Sequence, residues 1–256
     1  MDEKTLFNEH LNLYRAQCRS LDQESQSLGS VANISSLQPI LTDFLPGAEA
    51  GDYRGHYFHQ DLLVANYIFH ARPSLHLDIG SRVDGFISHL LAFDQRIILA
   101  DIRPLNYFHQ SLQFFRLDIS ADIPPFLARA FSSISSLHAI EHVGLGRYGD
   151  QIDPMGHVKS ISNLSRLLAP FGTLYLSFPT GYSRVEFNSQ RVISIDESLS
   201  IFQACGLTPR YMRLIDDNGD LLPVTFTAHN DWGRSLRLYA GCAVWTLQNE
   251  LSATKT

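Results

Sequence analysis

The segment Leu75-His76-Leu77-Asp78-Ile79-Gly80-Ser81-Arg82-Val83-Asp84-Gly85-Phe86 constrains the chain most. A short apolar run ends in an acid, a glycine follows at once, and a polar turn leads through Gly85 to the apolar start of a helix. This reads as buried strand, tight loop and helix N-terminus, an arrangement that lets a ligand approach backbone N–H groups and the positive end of a helix dipole. In an open α/β sheet, ligands bind outside the carboxyl ends of the strands. A second apolar run, Arg96-Ile97-Ile98-Leu99-Ala100-Asp101, also ends in an acid. An acid about twenty residues beyond a glycine loop suits a ribose diol, since one carboxylate accepts from both hydroxyls. One such unit alone is equally an ordinary turn with a glycine for steric reasons. Here further strand ends repeat the pattern.

The rest of the chain alternates in the same way. Phe7, Leu11, Tyr14, Cys18 and Leu21 form one apolar stripe, so a helix is expected up to about residue 29. It can pack on its own domain, cover the site or pair with a second copy. Ser35-Ser36 predicts a short helix reaching residue 44, stopped by Pro46-Gly47. The hydrogen-bonding and aromatic stretch Gly55-His56-Tyr57-Phe58-His59-Gln60-Asp61 leads into a helix over 62–70, with His56 and His59 as candidates to face a ligand. Phe86, Ile87, Leu90 and Leu91 mark the first crossover helix. A third strand is expected over 114–119, a helix over 126–131 and a fourth strand over 133–137, followed by a glycine-rich polar loop over 144–156. A helix from Val158 to Leu168, a fifth strand over 173–178 and a polar segment over 181–191 come next. Ser194 with Glu197 fits a capping box, and 207–215 and 236–247 read as strands.

Composition narrows the function classes. Hydrophobic residues make up 45% and charged ones 18% of 256 residues, which supports a sizeable core and excludes a disordered chain. The formal charge of -6 argues against nucleic acid as the main partner. No apolar run is long enough to span a bilayer, and the polar opening Met1-Asp2-Glu3-Lys4 reads as no secretory signal. Cys18, Cys205 and Cys242 show no C-x-x-C spacing, so a reducing cytoplasm is the simplest setting and no structural zinc is expected. His56 and His59 lack a third ligand, and no metal set is legible.

Alternating strands and helices predict a three-layer α/β sandwich. An N-terminal helical extension is expected over 1–55 and the α/β domain over 56–256. Five βα units plus two final strands resemble the class I S-adenosylmethionine-dependent methyltransferase fold, with a seven-stranded, mostly parallel sheet of Rossmann-like type. Leu77-Asp78-Ile79-Gly80-Ser81, Leu99-Ala100-Asp101, Arg116-Leu117-Asp118-Ile119 and Ser136-Leu137-His138-Ala139-Ile140-Glu141-His142-Val143 carry the resemblance, as does Leu167-Leu168-Ala169-Pro170-Phe171-Gly172-Thr173-Leu174. Within that superfamily, Gly146-Arg147-Tyr148-Gly149-Asp150-Gln151-Ile152-Asp153-Pro154-Met155-Gly156-His157 is most similar to a bacterial group of unknown function often associated with surface-polysaccharide or secondary-metabolite genes.

The resemblance implies S-adenosyl-L-methionine as cofactor. Asp78 and Gly80, with Ser81 and Gly85 in the same loop, would position its methionine end. Asp101 would take the ribose hydroxyls, Ile102 would lie against the adenine, and Asp118 and Ile119 would meet the adenine amino group. The residues from His138 to His142 would lie beside the sulfonium and the substrate. The family's further glycines are replaced here by Arg82 and Asp84, and Gly85 comes one place late. Arg82 would then crowd the cofactor carboxylate or pair with it.

Methyl transfer is an in-line displacement in which the protein positions the acceptor and removes its proton. The hydrogen-bonding side chains of 144–157 and 181–191 point to a small polar acceptor, a sugar hydroxyl or glycan, and thus to O-methylation. His142 is the first choice for the base. Glu141, Asp153 and His157 are the others, although Asp153 equally reads as a helix cap before Pro154. The rival readings are a non-catalytic binding protein on the same fold and an NAD-type sugar-modifying oxidoreductase. The second lacks the G-x-G-x-x-G spacing.

Overall fold

A computed structural model describes residues 3–24, 37–41, 51–234 and 236–249. The chain divides between Asp52 and Tyr53 into two units. In the first, the apolar stripe forms helix α1 (Glu3–Glu24). The expected helix over 36–44 is not found where it is described, since residues 37–41 carry no helix. Pro39 supplies no N–H and its ring biases Gln38 towards extended backbone. The remainder of that expectation, and the end of the first helix, lie outside the described residues.

The second unit carries helices α2 (His56–Ala71), α3 (Ser88–Leu91), α4 (Gly156–Leu167) and α5 (Ile195–Ala204). Its strands are β1 (His76–Ile79), β2 (Ile97–Asp101), β3 (Leu112–Arg116), β4 (Phe131–Leu137), β5 (Leu168–Thr180), β6 (Arg184–Glu186), β7 (Gln190–Val192), β8 (Leu207–Ile215) and β9 (Gly241–Asn249). Seven of them form one sheet in the order β3-β2-β1-β4-β5-β9-β8. Pairs among β1 to β5 are parallel, and β9 runs antiparallel to both β5 and β8. The order reverses direction between β1 and β4, which opens a crevice at their carboxyl ends.

The central strands of the sheet are buried on both faces, and side chains alternate with the period of two that strands impose. On β5 and β9, Leu174, Leu176, Ala243 and Trp245 join one core cluster with Ile161 and Leu164 of α4 and Phe202 of α5. Tyr175, Cys242 and Val244 join the other, with Val64 and Ile68 of α2 and Phe86 and Leu90. Helices therefore cover each face, giving three layers.

Several local expectations change. α2 begins at His56 rather than Leu62, so the histidine-rich stretch is itself helical. The third strand lies two or three residues earlier than expected, leaving Asp118 beyond its end. The helix expected over 126–131 reduces to a turn at Pro125–Leu127, because Ala128 is extended and Phe131 already opens β4. The polar segment over 181–191 contains the β6–β7 hairpin. At α5 the Ser194 hydroxyl caps Glu197 N at 3.2 Å, but the Glu197 carboxylate takes the Ser183 hydroxyl (2.6 Å) instead of closing the box. The last strand starts at Gly241, not Leu236.

Candidate active site

The carboxyl edge of the sheet opens into a cavity of about 710 Å³. That size lies within the usual range for small-molecule sites. Gly80, Ser81, Arg82, Gly85, Asp101, Ile102, Asp118, Ile119, His138 and His142 all line it, so ten residues singled out from sequence converge on one space. Asp78, Glu141, Asp153 and His157 do not line it.

Asp78 lies beneath the glycine loop, wholly buried. Its carboxylate accepts from Ser81 N (3.0 Å), Ser81 Oγ (2.9 Å) and Ser135 Oγ (2.5 Å). Burial outweighs these donors and pushes Asp78 up to about 7. Gly80 follows at φ +84°, where a Cβ would sit 2.7 Å from Ala139 Cβ. Only glycine lets the loop lie this close to the end of β4. Arg82 and Asp84 pair with each other, Nε to Oδ1 at 2.9 Å and Nη2 to Oδ2 at 2.6 Å, on the exposed rim. The two residues that depart from the expected glycines are thus mutual partners.

Asp101 is already engaged. Arg103 donates from its backbone N (2.8 Å) and Nε (3.0 Å) to Oδ1 and from Nη2 to Oδ2 at 2.5 Å. The same guanidinium reaches Gly80 O (3.2 Å) and lies 4.9 Å from the centre of the Tyr148 ring. Asp118 Oδ1 accepts from Ser120 N (2.9 Å) and Oγ (2.7 Å), and Ile102 and Ile119 supply apolar wall nearby.

Beyond β4 the chain turns sharply. His138 sits at φ +48°, a left-handed conformation uncommon outside glycine, asparagine and aspartate. Its backbone N donates to Ser177 O at 3.1 Å, and its Nδ1 meets Glu141 Oε1 at 2.7 Å. Burial opposes a charge on His138, but Cys242 and Glu141 beside it hold the imidazole well above its usual value. His142 Nδ1 lies 2.6 Å from the Ser189 carbonyl. A carbonyl only accepts, so Nδ1 carries the proton and Nε2 keeps a lone pair in the neutral ring. Arg191, almost wholly buried, braces this region by donating to the carbonyls of Glu141 (3.3 Å), Val143 (2.5 Å) and Asp153 (3.3 Å).

The side chains of Asp153 and His157 do other things. Asp153 caps Met155 N at 2.9 Å and pairs with Lys159 at 2.5 Å, while its backbone closes on Gly144. His157 is buried and pushed down to about 4, chiefly by that burial and then by Arg191.

On α2, sequence reasoning pointed to His56 and His59 but not to Tyr57, Gln60 or Asp61. His56, Tyr57, Gln60 and Asp61 line the cavity, whereas His59 does not. Gln60 is fully buried, accepts from Ser177 Oγ at 2.6 Å and leaves Nε2 without a partner among the described residues. Burial raises Asp61 to about 6. The four fall on one face of a helix at spacings of one, three and one, a signal visible only once the helix is known to start at His56.

A model of a family described as a Caenorhabditis protein of unknown function, DUF268, matches residues 106–197. No curated protein matches the chain in sequence. Among solved structures, a 1,6-didemethyltoxoflavin-N1-methyltransferase from Burkholderia thailandensis, bound to 1,6-didemethyltoxoflavin and S-adenosylhomocysteine, superposes with TM-score 0.51 at 15% identity, over 74% of this chain and 78% of its own. The fold is that of the class I S-adenosylmethionine-dependent methyltransferases. A candidate sarcosine dimethylglycine methyltransferase from Galdieria sulphuraria gives TM-score 0.54 at 11% identity, over 76% of this chain and 86% of its own. The [4+2]-cyclase SpnF gives 0.53 at 14% identity, over 79% and 86%. A methyltransferase-type fold therefore does not by itself name the reaction.

The lining suits adenosylmethionine. Gly80 provides a cradle that any Cβ would fill, and the unpartnered Gln60 Nε2 belongs to a residue of the cavity wall. Asp101 stands at the end of the neighbouring strand, its carboxylate held by Arg103.

Proposed function

We propose that this chain is an S-adenosyl-L-methionine-dependent methyltransferase that methylates an oxygen of a small polar acceptor, with a sugar hydroxyl as the first candidate. The observation that carries the reading is the Gly80 turn packed on Ala139, with Asp101, Asp118 and Ile119 around one cavity. When bound, the cofactor supplies an electrophilic methyl group on a sulfonium leaving group. The chain's own residues hold and deprotonate the acceptor. His142, with its proton fixed on Nδ1 by Ser189 O, offers Nε2 as the base. Glu141 serves as a positioning residue for His138, and Asp153 and His157 as supports of the loop above the site. Arg147, Tyr148 and Gln190, all on the cavity wall, combine hydrogen-bonding groups with an aromatic face, which suits a hydroxylated ring.

A place in polysaccharide or secondary-metabolite biosynthesis fits such an acceptor. The free thiols of Cys18, Cys205 and Cys242 suit a reducing, cytoplasmic setting. Residues 1–55 are read as an N-terminal helical extension, with α1 as the candidate surface for pairing two copies. Among the described residues no helix is long and apolar enough to cross a membrane.

The Asp101–Arg103 pair favours one rival, a protein of this fold that binds a ligand without transferring a methyl group. Incubation with methyl-labelled adenosylmethionine and a panel of sugars, glycosylated metabolites and apolar controls tests the reading. Label in a hydroxylated acceptor supports it. Label only in an apolar acceptor removes the sugar, and no label in any acceptor despite cofactor binding favours the rival.

A further inference from the structure

We propose that His56, His138 and Cys242 form a binding site for a divalent ion of the zinc class on the wall of the cavity. The three come from the start of α2, the end of β4 and the start of β9. Their donor atoms, two imidazole nitrogens and a thiol sulfur, all lie within 4.8 Å of one another. Two nitrogens and one sulfur are a donor set that zinc prefers, and three protein ligands with one open position are the pattern of sites that also take a small ligand.

The donors are grouped within 4.8 Å and must draw together to reach tetrahedral spacing. His56 Nδ1 and His138 Nε2 are 3.1 Å apart, with ring centres separated by 5.0 Å and planes 12° from parallel. A tetrahedral zinc ion spaces its donors by roughly 3.3–3.6 Å at ordinary Zn–N and Zn–S lengths. The two nitrogens are already near that spacing, and the rings must turn so that both lone pairs converge on the ion. Cys242 is wholly buried on the sheet face that α2 covers, so its sulfur closes the cluster from behind. Both histidines line the cavity and Cys242 does not, which leaves the open side towards the cavity.

A second, independent feature points to a metal. Glu141, fully buried, holds His138 Nδ1 at 2.7 Å. A carboxylate on the far nitrogen is the usual partner of a metal-bound imidazole, because it fixes the ring and leaves the other nitrogen for the ion. The pair also accounts for a fully buried acid that does not itself line the cavity. Binding would release the protons of the thiol and of the ring nitrogen it replaces. An ion here would offer Lewis acidity to an oxygen entering the cavity. The site does not depend on methyl transfer, and its test uses the metal alone.

The full chain is stripped with a chelator, then titrated with zinc by calorimetry and with cobalt(II) by absorption, without adenosylmethionine. We expect one equivalent of either ion, and for cobalt a tetrahedral visible spectrum with a thiolate-to-metal band in the near ultraviolet. Cys242→Ser should abolish that band, and His56→Ala should weaken zinc at least tenfold. Glu141→Gln should weaken zinc 10–100-fold while the thiolate band persists at saturation. Circular dichroism checks that each variant is folded. His56→Ala, at a partly exposed helix start, keeps the test decisive if Cys242→Ser fails to fold. Absence of a stoichiometric ion, or a thiolate band surviving in Cys242→Ser, would overturn the site. Unchanged zinc affinity in His56→Ala would do the same.

Discussion

His142 Nδ1 lies 2.6 Å from the carbonyl oxygen of Ser189, which ties the end of β4 to the β6–β7 hairpin and fixes the tautomer of the ring. The Arg147 guanidinium donates to the same carbonyl at 3.0 Å. With Nδ1 committed, Nε2, which lies 3.7 Å from Glu141 Oε1, is the atom placed to take a proton from an acceptor. His142→Ala should therefore lower turnover by about 10²–10⁴-fold. Affinity for adenosylmethionine should stay within a few-fold, because other residues hold the cofactor. Steady-state kinetics beside calorimetry separates the two, and full turnover in the variant would make His142 a structural residue.

Asp101 and Arg103 give opposite expectations for one ligand. A carboxylate bonded to ribose hydroxyls contributes about 1.5–3 kcal/mol per charge-assisted bond, so Asp101→Ala should weaken adenosylmethionine by at least tenfold. Arg103 already occupies both oxygens of that carboxylate. Removing the guanidinium should free them, and Arg103→Ala should bind several-fold tighter, most clearly at low salt. Weaker binding in Arg103→Ala would mean that the arginine itself contacts the ligand.

Gly80→Ala tests the turn. A non-glycine residue in the left-handed region costs about 1–2 kcal/mol. At φ +84° the new Cβ would also press on Ala139 Cβ at 2.7 Å, so the midpoint of urea unfolding should fall and cofactor binding should be lost. A variant with wild-type stability and affinity would show that the loop has room this packing does not allow.

Acid sensitivity follows from His76. The ring is fully buried between Ser133 Oγ and Ser135 Oγ, each at 2.8 Å, and burial pushes it down to about 3. The unfolded chain takes up a proton below about pH 6.5 that the folded one refuses, so this stability is complete above 6.5 and is lost as pH falls towards 3. At pH 5 the loss from this one ring is about 2 kcal/mol. Asp78 acts in the other direction. Raised to about 7, its carboxyl stabilises the fold below the usual carboxylate range and loses that contribution as pH rises through 7. Between about pH 4 and 6.5 these two contributions offset each other, so the test is a difference: His76→Asn should lower Tm at neutral pH, and its gap from the native chain should shrink as pH falls from 8 to 4. A gap that does not change with pH would place the sensitivity elsewhere.

Much of this arrangement is legible in the sequence because strands buried on both faces are written as short apolar runs. Leu77-Asp78-Ile79-Gly80 and Leu99-Ala100-Asp101 each end where the site begins. The helix expected after Pro125 illustrates the opposite case, since its apolar residues serve a turn and then the edge of β4. Arg103 was hidden because its partner lies only two residues away, and sequence spacing alone does not say that the two side chains fold back on each other. His56 and His138 stand 82 residues apart, and Cys242 lies further still along the chain. Nothing in periodicity joins residues from α2, β4 and β9, and only the sheet order brings them together.

Titration of the full chain with S-adenosylhomocysteine, in parallel with NAD, tests the central claim most directly. A single site for the homocysteine compound in the micromolar range, lost in Gly80→Ala and weakened in Asp101→Ala, is the predicted result. A folded protein that takes up no S-adenosylhomocysteine at millimolar concentration, or that prefers NAD, would contradict it.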